Sequence, residues 1–107
     1  MTEDIKRRIR EFVTARDWDQ FHNPKDLAIA LSIEASELLE NFLWKDSGDA
    51  DRERIRHELA DILIYSVMLA GKYGFDVEEI MAEKIAMNEE KYPVEKARGR
   101  STKYNRY

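Results

Sequence analysis

Cysteine is absent, so the chain has neither a disulfide framework nor a thiolate metal site. Proline and glycine are scarce, two and four in 107 residues, which leaves long stretches with nothing to interrupt a helix. No apolar run approaches the roughly 20 residues of a membrane span, and no N-terminal segment resembles a signal peptide, so a cytoplasmic protein without membrane contact is expected. An excess of positive charge is missing too: 18 basic and 22 acidic residues give a net charge of -4, which argues against a general nucleic-acid binder. The exception is the last ten residues, where Arg98, Arg100, Lys103 and Arg106 form a basic tail.

What is present is helical periodicity. With 43% hydrophobic and 37% charged residues, the composition is that of one globular domain, residues 1–107, with a highly charged surface. Ile5, Ile9, Phe12 and Val13 predict an amphipathic helix from about Thr2 to Arg16. Asn23-Pro24-Lys25-Asp26 reads as an N-cap, a proline at the first helical position and an acid in the first turn, opening a second helix that reaches about Trp44. A third runs from about Asp51 to Tyr73 with Gly74 as its C-cap, and a fourth opens with a capping-box variant at Asp76 to Glu79 and stops at Pro93. Four helices with short connections predict an all-α, four-helix bundle-like fold, and the tail beyond Arg98 is expected to be irregular or partner-dependent.

Two acidic pairs break the apolar pattern. Glu34 with Glu37, and Glu58 with Asp61, stand at i,i+3 inside helical stripes, so each pair leaves one face about 4.5 Å apart along the axis. Solvated surface is the ordinary reading of such a pair. Here Glu34 lies between Leu31 and Leu38, Glu58 lies one turn before Ile62 and two before Tyr65, and the two helices should run antiparallel. Carboxylates turned inward together raise each other's pKa unless a cation gathers them. An all-oxygen set suits Mg²⁺, or Mn²⁺ in its place, and disfavours zinc. A ferritin-like di-iron site would need Glu-x-x-His motifs, and neither His22, which follows Asp19 by three, nor His57 follows a glutamate by three residues.

The segment Ser32-Ile33-Glu34-Ala35-Ser36-Glu37-Leu38-Leu39-Glu40, followed by His57-Glu58-Leu59-Ala60-Asp61-Ile62-Leu63-Ile64-Tyr65, resembles the paired ExxE and ExxD motifs of the MazG-like all-α nucleoside triphosphate pyrophosphohydrolases. Within that superfamily the dCTP pyrophosphatase branch is the most similar. The likeness runs from the Arg16 to Leu27 block through Phe42 to Lys45, Lys84, Asn88 to Pro93 and the terminal Ser101 to Tyr104.

The resemblance implies a Mg²⁺-dependent enzyme that splits a nucleoside triphosphate, dCTP or a modified dCTP, into monophosphate and pyrophosphate. It makes Glu34, Glu37, Glu58 and Asp61 the metal-binding set, with Glu37 or Glu40 taking the proton of the attacking water. Lys84 and Asn88 match phosphate-contacting positions, and Arg98, Arg100, Lys103 and Arg106 of the tail would lie over the triphosphate, of this subunit or a neighbour, whereas alone the run reads as a solvated or nucleic-acid-seeking end. Trp18, Trp44, Tyr65 and His22 would form the base pocket, since a pyrimidine needs π-faces and a few hydrogen-bonding groups. Relatives assemble as dimers or dimers of dimers, so a homodimer or homotetramer is expected.

Three features depart from the family's pattern, one of them a loop between Trp44 and the third helix that is shorter than in animal relatives. Ile33 stands where many relatives carry a further glutamate, and Ile9 where some carry a histidine near the base. A non-catalytic helical oligomer with a regulatory role is the reading from another class, and phosphoribosyl-ATP pyrophosphohydrolase is the neighbouring enzymatic one. The intact four acids speak against the first, the Asp-Trp-x-Gln-Phe-His block against the second.

Overall fold

Each long helix begins where a short polar side chain caps it. The computed structural model of the chain describes residues 2–101 and 103–106; Thr102 of the terminal Ser101 to Tyr104 block lies outside the described residues, as do the side chains of Ser47 and Tyr104. Helix α1 spans Glu3–Ala15, with the Thr2 hydroxyl accepting from the Ile5 amide and Glu3 and Asp4 in the first turn, where they complement the helix dipole. Asp17, at φ 53°, reverses the chain, and the Trp18 amide returns to the Val13 carbonyl at 3.1 Å. A 3-10 turn, Asp19–Phe21, follows.

Helix α2 spans Pro24–Glu40; Asn23 accepts from the Asp26 amide at 2.9 Å, and proline occupies the first turn, where its missing N–H costs nothing. Helix α3, Arg52–Lys72, is capped by Asp51, which accepts from the Glu53 and Arg54 amides. It ends at Tyr73 and Gly74, the glycine at φ 69°, a conformation that costs a residue with a Cβ and not glycine. Helix α4, Val77–Lys91, begins under Asp76, whose side chain accepts from the Glu79 amide at 3.0 Å. A fifth helix of one turn, α5, covers Val94–Ala97 directly after Pro93, and a 3-10 turn covers Tyr104–Arg106 inside the expected irregular tail.

The chain parts into two compact units, Met1–Phe75 and Asp76–Tyr107. In the first, α2 packs along α3 and α1 leans on α3, and Val13, Leu27, Val67 and Ala70 are buried, contributed by all three helices. The second holds α4 and α5. The all-α expectation holds: among the described residues there is no strand. No described helix is long and apolar enough to cross a membrane.

One helix boundary differs from the periodicity. Helix α2 stops at Glu40, not near Trp44, because the Asn41 amide bonds the Glu37 and Leu38 carbonyls and takes acceptors the backbone would use. The next amides fall back on 3-10 spacing, Phe42 to Leu39 at 2.9 Å and Leu43 to Glu40 at 3.3 Å, and Trp44 leaves the helix at φ 62°.

Candidate active site

The packing of α2 against α3 brings both acidic pairs to one place. Glu34 shows it most clearly: its carboxyl is held above the usual range by burial first, then by the charge of Glu37, by Asp61, by a hydrogen bond with Glu37 and by Glu58. Every acid of the two pairs acts on that one group. Glu58 is itself buried, while Asp61 is exposed at the rim.

The four are neighbours without being a closed cage. Among the described residues no three His, Asp or Glu side chains are drawn together tightly enough to hold an ion as they stand. The reason is visible at Glu58, whose oxygens are engaged elsewhere: Oε2 accepts from Asn41 Nδ2, and Oε1 lies 3.4 Å from Arg54 Nη2. The donor chemistry still fits a hard divalent cation, because the set is all oxygen and the elevated Glu34 carboxyl is a site where positive charge is missing.

Beside the carboxylates lies a cleft of about 770 Å³ between α1 and α3, lined by Ile9, Phe12, Trp18, His22, Asp61 and Tyr65 among others. Its aromatic wall is ordered edge to face, with Phe12 and Trp18 centroids 5.6 Å apart at 78° and Trp18 and His22 at 6.5 Å and 76°. Arg16 covers the Phe12 ring at 3.8 Å. Among the described residues His22 Nδ1 is buried with no hydrogen-bond partner, an orphan polar atom in a wall residue. Asp61 belongs to both features, so the carboxylate cluster and the aromatic cleft share an edge.

Of the residues expected from sequence, the structure brings together Glu34, Glu37, Glu58 and Asp61, and, in the adjoining cleft, Trp18, His22 and Tyr65. Trp44 is not among them: its side chain is fully exposed on the turn after α2. Glu40 is exposed on the last turn of α2 and does not act on Glu34, although with Glu37, Lys25, Ile29 and Ile33 it lines a shallow groove along that helix. Lys84 and Asn88 are exposed one turn apart on α4, and Arg98 and Lys103 are exposed at and after the end of α5.

Two residues were missed by sequence reasoning. Asn41 follows Glu37 by four and Glu34 by seven, which puts it on the acidic face, and that spacing was the available signal. Arg54 precedes Glu58 by one turn and reads in sequence as an ordinary i,i+4 surface pair.

The MazG-like family model matches residues 29–106. The chain is 42% identical over 110 aligned residues to dCTP pyrophosphatase 1 of Homo sapiens and 39% identical to that of Rattus norvegicus. Each alignment takes in 95% of this chain, and the chain spans 65% of the length of those relatives. The crystal structure of a pyrophosphatase from Archaeoglobus fulgidus superposes with a TM-score of 0.80 at 37% identity, covering 85% of this chain and 91% of that one.

Proposed function

Since this chain belongs to the MazG-like family, we propose that it hydrolyses a (deoxy)nucleoside triphosphate, dCTP or a modified dCTP, to the monophosphate and pyrophosphate. The observation that carries the reading is the position of Asp61, which joins a cluster of four carboxylates to an aromatic cleft. A nucleotide has the same two parts in the same order: a polyanion that needs a cation, and a flat base that needs π-faces.

In this reading Glu34, Glu37, Glu58 and Asp61 hold Mg²⁺, for which Mn²⁺ can substitute. A cation held by these carboxylates would supply positive charge for the phosphate oxygens and lower the pKa of water at the site. Burial and the neighbouring carboxylates raise the Glu34 pKa, and a cation held among them would oppose that rise. Glu37, hydrogen-bonded to Glu34, accepts the proton of the water that attacks the α-phosphorus; Glu40, which is not among the groups acting on Glu34, is the weaker candidate for that role. Trp18 and Tyr65 stack on the base, and His22 lines the same cleft beside it. Lys84 and Asn88 contact phosphate, as do Arg98 and Lys103, and Trp44 reaches the base from its exposed turn.

The active form is a homodimer or homotetramer acting in the cytoplasm. Leu59 and Leu63 of α3 and Ile80, Met81 and Ile85 of α4 stand exposed, apolar surface of the kind a second copy would cover. The chain works as one MazG-like catalytic domain over 1–107, with 98–107 as its basic tail.

The test is a panel of canonical and modified (d)NTPs with Mg²⁺, with pyrophosphate and orthophosphate separated. Monophosphate and pyrophosphate from dCTP are expected. Orthophosphate with dCDP would mean attack at the γ-phosphorus and a wrong assignment.

A further inference from the structure

Asn41 and Glu58 are buried polar residues, 2% and 8% exposed, and they are hydrogen-bonded to each other. Burying an amide and a carboxylate costs free energy that an aliphatic pair at the same place would not. The geometry of Asn41 shows what that burial achieves. Its Nδ2 lies 3.2 Å from the Glu37 carbonyl and 3.4 Å from the Leu38 carbonyl, and it also donates to Glu58 Oε2. An amide nitrogen has two hydrogens, so one can serve the end of α2 while the other crosses to α3. The helix that carries Glu34 and Glu37 is thereby tied to the carboxylate of Glu58 through one planar group.

We propose that Asn41 is a positioning residue that presents Glu58 to the divalent cation. This rests on the reading of Glu58 as a cation ligand. With Oε2 held by the amide, the carboxylate plane is set and Oε1 is left for the ion. Arg54, the other group near Oε1, has a 58% exposed side chain and is free to move into solvent when a cation replaces it. The amide stays neutral, so it orients the carboxylate without competing with the cation for it. Outer partners of metal ligands are typically worth about 10- to 100-fold in metal affinity.

The experiment is calorimetric titration of Mg²⁺ into the wild-type chain, Asn41→Leu and Asn41→Ser, with thermal melts of each in the absence of metal. Leu matches the volume and removes the donor; Ser avoids overpacking and is too short to reach. The expected result is cooperative metal-free melting in at least one variant, with Mg²⁺ affinity about tenfold weaker. In that variant kcat should return to the wild-type value at saturating Mg²⁺, which a defect of packing would not allow. Wild-type binding with an unchanged dissociation constant in the variants would overturn the positioning role alone. Variants that lose the metal-free melt would assign Asn41 to packing and overturn it as well. If the wild-type chain binds no Mg²⁺, the ligand reading of Glu58 falls, and this proposal with it.

Discussion

Lys72 Nζ donates to Asp19 Oδ1 at 2.9 Å, joining the last turn of α3 to the 3-10 turn that follows Trp18. The two residues are 53 positions apart, and the bond fixes the segment between Trp18 and His22 against the helix that carries Asp61 and Tyr65. The Lys72 ammonium holds the Asp19 carboxyl below its ordinary value, through the hydrogen bond first and the charge second. Asp19 is exposed, so the pair contributes little to stability and acts on the geometry of the cleft wall.

Lys72→Met should therefore raise KM for the nucleotide several-fold while leaving kcat nearly unchanged. The sign of the pH effect is fixed by the depressed pKa. The pair's contribution is present above the unfolded value of 3.8 and is lost as pH falls through the lower folded value. The small difference in melting temperature between variant and wild type should close in that acid range. A difference that persists there would assign Lys72 a role other than pairing with Asp19.

Glu34 gives the opposite sign. Its folded pKa lies above the unfolded value of 4.5, so the native state holds the proton longer and the metal-free protein loses stability as pH rises through the folded value. Melts of the metal-free chain should fall in temperature above about pH 4.5, and Glu34→Gln, which cannot ionise, should flatten that decline and melt a few degrees higher at neutral pH. Identical pH profiles for the two proteins would show that the carboxylates do not repel one another at Glu34.

The same cluster sets the response to metal. Chelation by EDTA should abolish hydrolysis, and Mg²⁺ at about 100 times its dissociation constant should add about 2.7 kcal/mol, a rise in melting temperature on the order of 10 °C. Glu58→Gln should lose both the activity and the Mg²⁺-dependent rise. Its metal-free melt should not improve as that of Glu34→Gln does, since the Glu58 carboxylate already has Asn41 and Arg54 as partners. Full turnover in excess EDTA would remove the metal assignment.

How much of this was legible in the sequence follows from the range of the interactions. The caps at Thr2, Asn23, Asp51 and Asp76 act within three residues, so the helix starts could be read locally. The end of α2 could not, because the Asn41 side chain that closes it also answers to Glu58, 17 residues on. Spacing placed each acidic pair on one face, yet the unequal environments within the four, Glu58 buried and partnered and Asp61 at the rim, arise only when α2 meets α3. The one-turn helix after Pro93 gave no periodic signal, being too short for a repeat. The aromatic cleft was half legible: Trp18, His22 and Tyr65 were named and Ile9 was placed near the base, but Phe12 read only as part of the apolar stripe of α1 and instead lines the cleft.

The two tryptophans, equivalent in the sequence, are separated by the fold. Trp18 meets Phe12 and His22 edge to face inside the cleft, whereas Trp44 is wholly exposed on a left-handed turn. Trp18→Ala should lower stability and raise KM, since stacking on a base is worth roughly 1–3 kcal/mol and is made before the transition state. A fully exposed side chain contributes little to folding, so Trp44→Ala should leave the melting temperature unchanged, within about 0.5 kcal/mol. Its effect on KM is then a clean readout of substrate contact, free of any folding defect. If Trp44→Ala raises KM and blurs the choice between dCTP and dTTP, the indole reaches the base; if KM and base preference stay at wild-type values, Trp18 and Tyr65 carry the stacking alone and Trp44 leaves the substrate-binding set.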